Sequence, residues 1–146
     1  MKIGKARVTS SLMSAVLFLG LVQVPAAHAP QTPEQLAQQS ADAWLALVDS
    51  GKFADSWQEA SSLFKAHVRK EEWQNIMHAS REPFGKIISR KLLGAKYTRT
   101  LPGAPDGEYV VIQCDSSFEH KQSAIETITP MVDKDGQWRV SGYFIK

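Results

Sequence analysis

The sequence predicts an α+β domain in which helices come first and an antiparallel sheet follows. Apolar residues recur at three- and four-residue spacing from Pro33 to Arg81, the period of a helix face. From Lys86 to Ile145 they alternate with polar residues, in β-branched and aromatic runs separated by turn residues. Helices grouped before strands, not interleaved with them, predict packing on one face of a twisted four-stranded meander.

The chain has 146 residues and a formal charge of +2. Its first 29 residues read as a cleaved signal peptide. Lys2, Lys5 and Arg7 form a basic start, Leu12 to Val22 an apolar core, and Ala26, Ala27 and Ala29 a small-residue exit, with cleavage near 26–29. The apolar run is short for a span of about 20 residues, so no stable anchor is expected after cleavage. Removing three cations and no anion takes the charge to −1. The basic balance therefore belongs to the targeting segment, and a nucleic-acid partner loses its electrostatic argument. Residues 30–146 are expected to form one domain, in the periplasm or secreted. Cys114 is the lone cysteine, so the core must hold the fold without an internal disulfide.

Thr32 caps the first helix, Pro33 suits its first position and Gln35 completes a capping box. Leu36, Ala37, Ala41, Trp44, Leu45 and Val48 form its apolar stripe, and Gly51 stops it. A second helical stretch starts at Phe53, breaks at Ser61-Ser62 and continues through Phe64 to Val68. A further helix runs from Lys70 to Arg81, and Pro83 ends it. Phe84-Gly85 is the pivot into strands. The first strand, within Lys86–Thr100, puts Ile88, Arg90 and Leu92 on one side, and Gly94 bends or bulges it. The second, Glu108–Phe118, puts Val110, Ile112, Cys114 and Phe118 on an apolar face and Tyr109 on the more polar one. The third spans Ser123–Val132. Asp133-Lys134-Asp135-Gly136 turns the chain into the fourth, Gln137–Ile145.

Several stretches together carry a family resemblance: Trp44 to Gly51, Ser56-Trp57, Trp73, Arg81 to Gly85, Pro102 to Tyr109, Glu126-Thr127, and Asp135 to Tyr143. With these the chain resembles the bacterial domain of unknown function 4019 family over roughly Pro33 to Ile145. The closing Asp-Gly-x-Trp-x-Val-x-Gly-Tyr pattern is similar to the last hairpin of nuclear transport factor 2-like, cystatin-like folds. That resemblance implies a curved sheet wrapped around helices, often with a cone-shaped pocket. It supplies no catalytic residue.

Glu126, between Ile125 and Ile128, is the candidate polar residue of the helix–sheet junction, with Arg81 and Arg90 as its expected partners. Its favoured role is a structural ion pair. The alternatives are the floor of a pocket for an anionic ligand, or an acid/base with Tyr109 or Tyr143 as hydrogen-bond donor. His67, His78 and His120 lack ligand spacing, so no metal site or cofactor is expected. Cys114 reads as a buried small hydrophobe, the four tryptophans as mostly core, and the Asp-Gly pairs as turns. The expected function is a non-catalytic envelope module that binds a small molecule or a protein, or pairs with a second copy through the sheet face. A small pocket enzyme and a purely structural accessory protein are the alternatives.

Overall fold

A computed structural model describes residues 29–146; the basic start, the apolar run and His28 lie outside the described residues. Four α-helices, α1 (Pro33–Asp49), α2 (Phe53–Glu59), α3 (Ser62–His67) and α4 (Lys70–Ser80), precede a single 3-10 turn at Glu82–Phe84. Four strands follow: β1 (Ile87–Thr98), β2 (Tyr109–Phe118), β3 (Lys121–Val132) and β4 (Trp138–Ile145). They form one open antiparallel sheet in the order β1-β2-β3-β4. The predicted α+β class and strand order hold; β3 starts two residues earlier than its alternation suggested.

Local chemistry places the ends. The Thr32 hydroxyl accepts from the Gln35 N–H while the Gln35 side chain accepts from the Thr32 N–H, closing the capping box. Ser61 caps α3 by accepting from the Phe64 N–H. Gly85 adopts φ +75°, and a side chain there would also meet the Glu119 carboxylate at 2.7 Å. The pivot therefore needs glycine twice over.

Register is reset four times by single extra residues, once on the β2–β3 ladder between Ser116 and Phe118 and three times elsewhere. One shift lies between Ile87 and Ser89, so Ile88 is 66% exposed and does not share a face with Arg90. This corrects the strict alternation expected for β1. A second lies between Leu92 and Gly94, as expected there, and leaves Leu93 as the extra residue. The third lies opposite Thr129 and Pro130. A proline cannot donate to a ladder, so a central strand tolerates it at a bulge. The Ser141 hydroxyl, on the extra residue opposite, donates to the Thr129 carbonyl at 2.7 Å.

The inner face of the sheet carries Ala95 and Tyr97 of β1, Val110, Ile112 and Cys114 of β2, Ile128 of β3 and Val140 of β4. Helix α1 lies across it and touches all four strands, while α2 packs on α4. Aromatic rings fill the space between. Trp44 packs at a tilt against Trp73 at 5.8 Å and Tyr143 at 5.4 Å, and Phe64 meets Trp73 edge-on at 5.1 Å. Both indole N–H groups converge on Ser56: Trp44 donates to its carbonyl at 2.8 Å and Trp73 to its hydroxyl at 2.9 Å. At about 25 cal/mol per Å² and 150–250 Å² per ring, each buried aromatic contributes roughly 4–6 kcal/mol of gross burial. That is larger than any single polar contact described below, so burial of these rings drives the assembly of helices on sheet.

Tyr109 was expected on the polar outer face. Its position in register is the outer one, opposite Met131, yet it is fully buried. The 101–108 loop folds back over it, and its hydroxyl donates to the Pro105 carbonyl at 2.7 Å.

Candidate functional site

The polar centre of the molecule is a continuous chain of charges at the helix–sheet junction. It starts at Asp49, in the last turn of α1, where the helix dipole disfavours a carboxylate. Two guanidinium groups compensate it. Arg81 at the C-terminal end of α4 reaches it at 3.0 Å, and Arg90 of β1 forks onto it at 2.9 and 3.1 Å. Arg90 also forks onto Glu126 of β3, with Nε to Oε2 at 2.6 Å and Nη2 to Oε1 at 3.2 Å. The Ser116 hydroxyl of β2 donates to Oε2 at 2.5 Å, and the Tyr143 hydroxyl of β4 donates to Oε1 at 2.6 Å. Two cations and two anions cancel, and six elements are tied through four ionised side chains.

The electrostatics fit permanent charge. Burial pulls the Arg90 guanidinium down, but the hydrogen bonds and charges of Asp49 and Glu126 outweigh it and hold the group above its usual range. Burial, then the negative charge and hydrogen bond of Glu126, push the Tyr143 phenol up, so it stays a donor. Arg81 is 3% exposed; its Nη1 donates to the Gly85 carbonyl at 2.8 Å, and its guanidinium lies 4.2 Å from the centre of the Phe118 ring. That cation–π contact helps to offset the burial of a guanidinium whose Nε has no hydrogen-bond partner.

Four of the five residues singled out in the sequence therefore meet here: Arg81, Arg90, Glu126 and Tyr143. Tyr109 does not; it belongs to the loop lock on the outer face. Arg81 serves Asp49 and not Glu126. Sequence reasoning missed Asp49 and Ser116. An acidic residue in a helix's last turn with no basic neighbour in that turn was the available signal for Asp49. Ser116 had a weaker one: it continues the inner-face alternation of Ile112 and Cys114.

Glu126 has no exposed surface, and both its oxygens are taken by donors. An acid or base must reach a substrate proton within hydrogen-bond distance, and this carboxylate meets only its own partners. The junction's open surface lies beside it: a cleft of about 380 Å³ lined by Gln38, Asp42, Asp49, Arg90, Leu92 and Cys114. Cys114 is 2% exposed, and burial followed by the charge of Glu126 pushes its thiol up, away from a reactive thiolate.

A second lock joins α3 to the β3–β4 turn. Asp133 accepts from the Ser62 N–H at 2.7 Å, the Ser62 hydroxyl at 2.5 Å and the Lys134 N–H at 2.8 Å. Arg139 bonds Asp135 at 2.8 Å and lies 3.7 Å from Glu59. The Asp135-Gly136 pair is a turn, with Gly136 at φ +77°. Among the described residues no three His, Cys, Asp or Glu side chains converge as metal ligands. His67 contacts the Leu63 carbonyl and His78 contacts Glu82, each within its own helix region.

Fold and site together define a helix-on-sheet α+β domain whose junction is closed by an internal Asp–Arg–Glu network. The family model described as "Protein of unknown function (DUF4019)" matches residues 40–143, a span containing every member of that network, and the chain belongs to this family. No curated protein and no solved structure matches the chain.

Proposed function

We propose that the protein is a non-catalytic module of the bacterial cell envelope that binds a partner at its surface. The carrying observation is the state of Glu126, the polar residue best placed for chemistry at the junction. Its charge is consumed by Arg90, Ser116 and Tyr143 inside the protein. A pocket enzyme of the kind weighed from the sequence would need that carboxylate open. The export reading rests on the basic start, apolar core and small-residue exit of the first 29 residues. Among the described residues no helix is long and apolar enough to cross a membrane. Binding surfaces remain available, since the grooves of the molecule are open ones at its periphery.

Native mass spectrometry of the protein taken from envelope extract without refolding tests this reading. A retained polypeptide or small molecule of constant mass is the expected result. Recovery from the cytoplasm with its first 29 residues intact would overturn the envelope assignment. Turnover of any substrate that is lost on Glu126→Gln would overturn the non-catalytic one. A second reading, pairing of two copies through the outer sheet face, is favoured by the exposure of Leu93 and Phe144 on that face, at 55% and 59%. A dimer that Phe144→Lys dissociates is its signature.

A further inference from the structure

Strand β1 ends the sheet, and among the described residues no backbone or side-chain group pairs with its outer edge. A groove runs along this edge beneath α1. It is formed by the 380 Å³ cleft beside Arg90 and a second of about 360 Å³ toward the start of α1, which share Gln38 and Leu92. Its apolar floor is Leu92, half exposed, with Ala95. Its wall is one face of α1, where Glu34, Gln38 and Asp42 recur every four residues.

Three features of that wall are unspent. Glu34 and Asp42 make no salt bridge within the described residues. The Gln38 amide donates to Asp42 at 2.9 Å, but its carbonyl oxygen is buried without a partner. A buried acceptor left unmade is costly and marks a place for a donor. The spacing is also that of a strand. Eight helical steps, from Glu34 to Asp42, rise about 12 Å; four steps of an extended chain rise about 13 Å. Alternate side chains of a strand laid beside β1 would fall opposite Glu34, Gln38 and Asp42 in turn.

Building on the reading of a partner-binding module, we propose that this groove takes an extended segment of a basic partner polypeptide as a fifth strand. The segment pairs its backbone with β1. It places cationic side chains four residues apart against Glu34 and Asp42, and puts a hydrogen-bond donor between them on Gln38. A second copy of this chain fits less well. Two β1 edges side by side would bring together Lys91 and Lys96 of both copies, an arrangement that blunts self-pairing.

The test uses the protein as isolated from cells and a fluorescent nonapeptide, Lys-Val-Thr-Val-Lys-Val-Thr-Val-Lys, followed by anisotropy. Saturable binding is expected, weakening with salt and at least tenfold weaker in the double variant Glu34→Gln, Asp42→Asn. Neither side chain is in the core, and circular dichroism of the variant should be unchanged. Strand addition has a sharper signature. One alternating set of peptide N–H groups faces β1 and the other faces away. Methylating the valine nitrogens, or instead the lysine and threonine nitrogens, must abolish binding in one case and spare it in the other. Equal effects of both methylations, unaltered binding by the variant, or no saturable binding would each overturn the proposal. A partner retained in native mass spectrometry whose contact protects the outer sheet face from deuterium exchange, and not Leu92–Tyr97, would sink this inference while leaving the module reading standing.

Discussion

Arg90 is the one side chain shared by both carboxylates of the junction, so its removal is the most informative perturbation. In Arg90→Met the stem volume is largely kept and the guanidinium is lost. Glu126, with no exposed surface, is then left with two neutral donors, Ser116 and Tyr143. Asp49 keeps only Arg81. Breaking a buried pair from one side costs about 3–5 kcal/mol, because the other charge stays buried. The side chain of Asp49 is 15% exposed and can recruit water, which places the expected loss at about 3–4 kcal/mol. A domain of this size holds about 5–15 kcal/mol in total, so the variant should fold but weakly. With a urea slope of about 1–3 kcal/mol per molar, its midpoint should drop by about 2 M, read from tryptophan fluorescence. Adding Glu126→Leu removes the stranded charge and should restore at least half of the loss. A loss below about 1 kcal/mol, or a double variant no better than the single, would refute the view that the network is a closed, buried charge balance.

Three further outcomes follow from other parts of the molecule. Burial opposes the Asp133 carboxylate, but the donors from Ser62 and Lys134 outweigh it and depress its pKa; its stabilisation is full above the unfolded value of about 3.9 and lost as pH falls through the folded one. Asp133→Asn should cost about 1–2 kcal/mol at pH 7 in urea melts and flatten the acid limb of the stability curve. Gly85→Ala should destabilise by about 1–3 kcal/mol through strain and the Glu119 clash, whereas Gly94→Ala, with nothing within 4 Å of the added carbon, should change thermal stability by under about 0.5 kcal/mol. Cys114, 2% exposed with its thiol pushed up by burial, should react with maleimide at least about 10³-fold slower in the native protein than in urea; fast native labelling would show that the cleft floor opens.

Much of the architecture was legible because its causes are local. The Thr32–Gln35 capping box, the stop at Gly51, the break at Ser61 and the turn at Asp135-Gly136 each depend on residues within four positions of one another. The period switch near Phe84 reflects nothing more than which side chains share a face, and so it fixed class and strand order. The buried role of Cys114 followed from the same alternation.

The site was legible only as a set of residue types. Arg81, Arg90, Glu126 and Tyr143 do meet, but their partners were set by geometry that no local pattern encodes. Asp49 and Arg90 are 41 positions apart and Arg90 and Glu126 are 36 apart. Whether they face each other depends on bulges at Ile88 and Leu93, since one extra residue moves every later side chain to the other face. Tyr109 shows the converse: its outward register was readable, and its burial was decided by a loop folding back over the sheet. Sequence alone determined which segments are helix, strand and turn, because those choices are made by neighbouring residues. Only the tertiary structure decided which charges are spent inside the protein and which face a groove, because Coulombic and hydrogen-bond partners are chosen by distance in space and by exclusion of water.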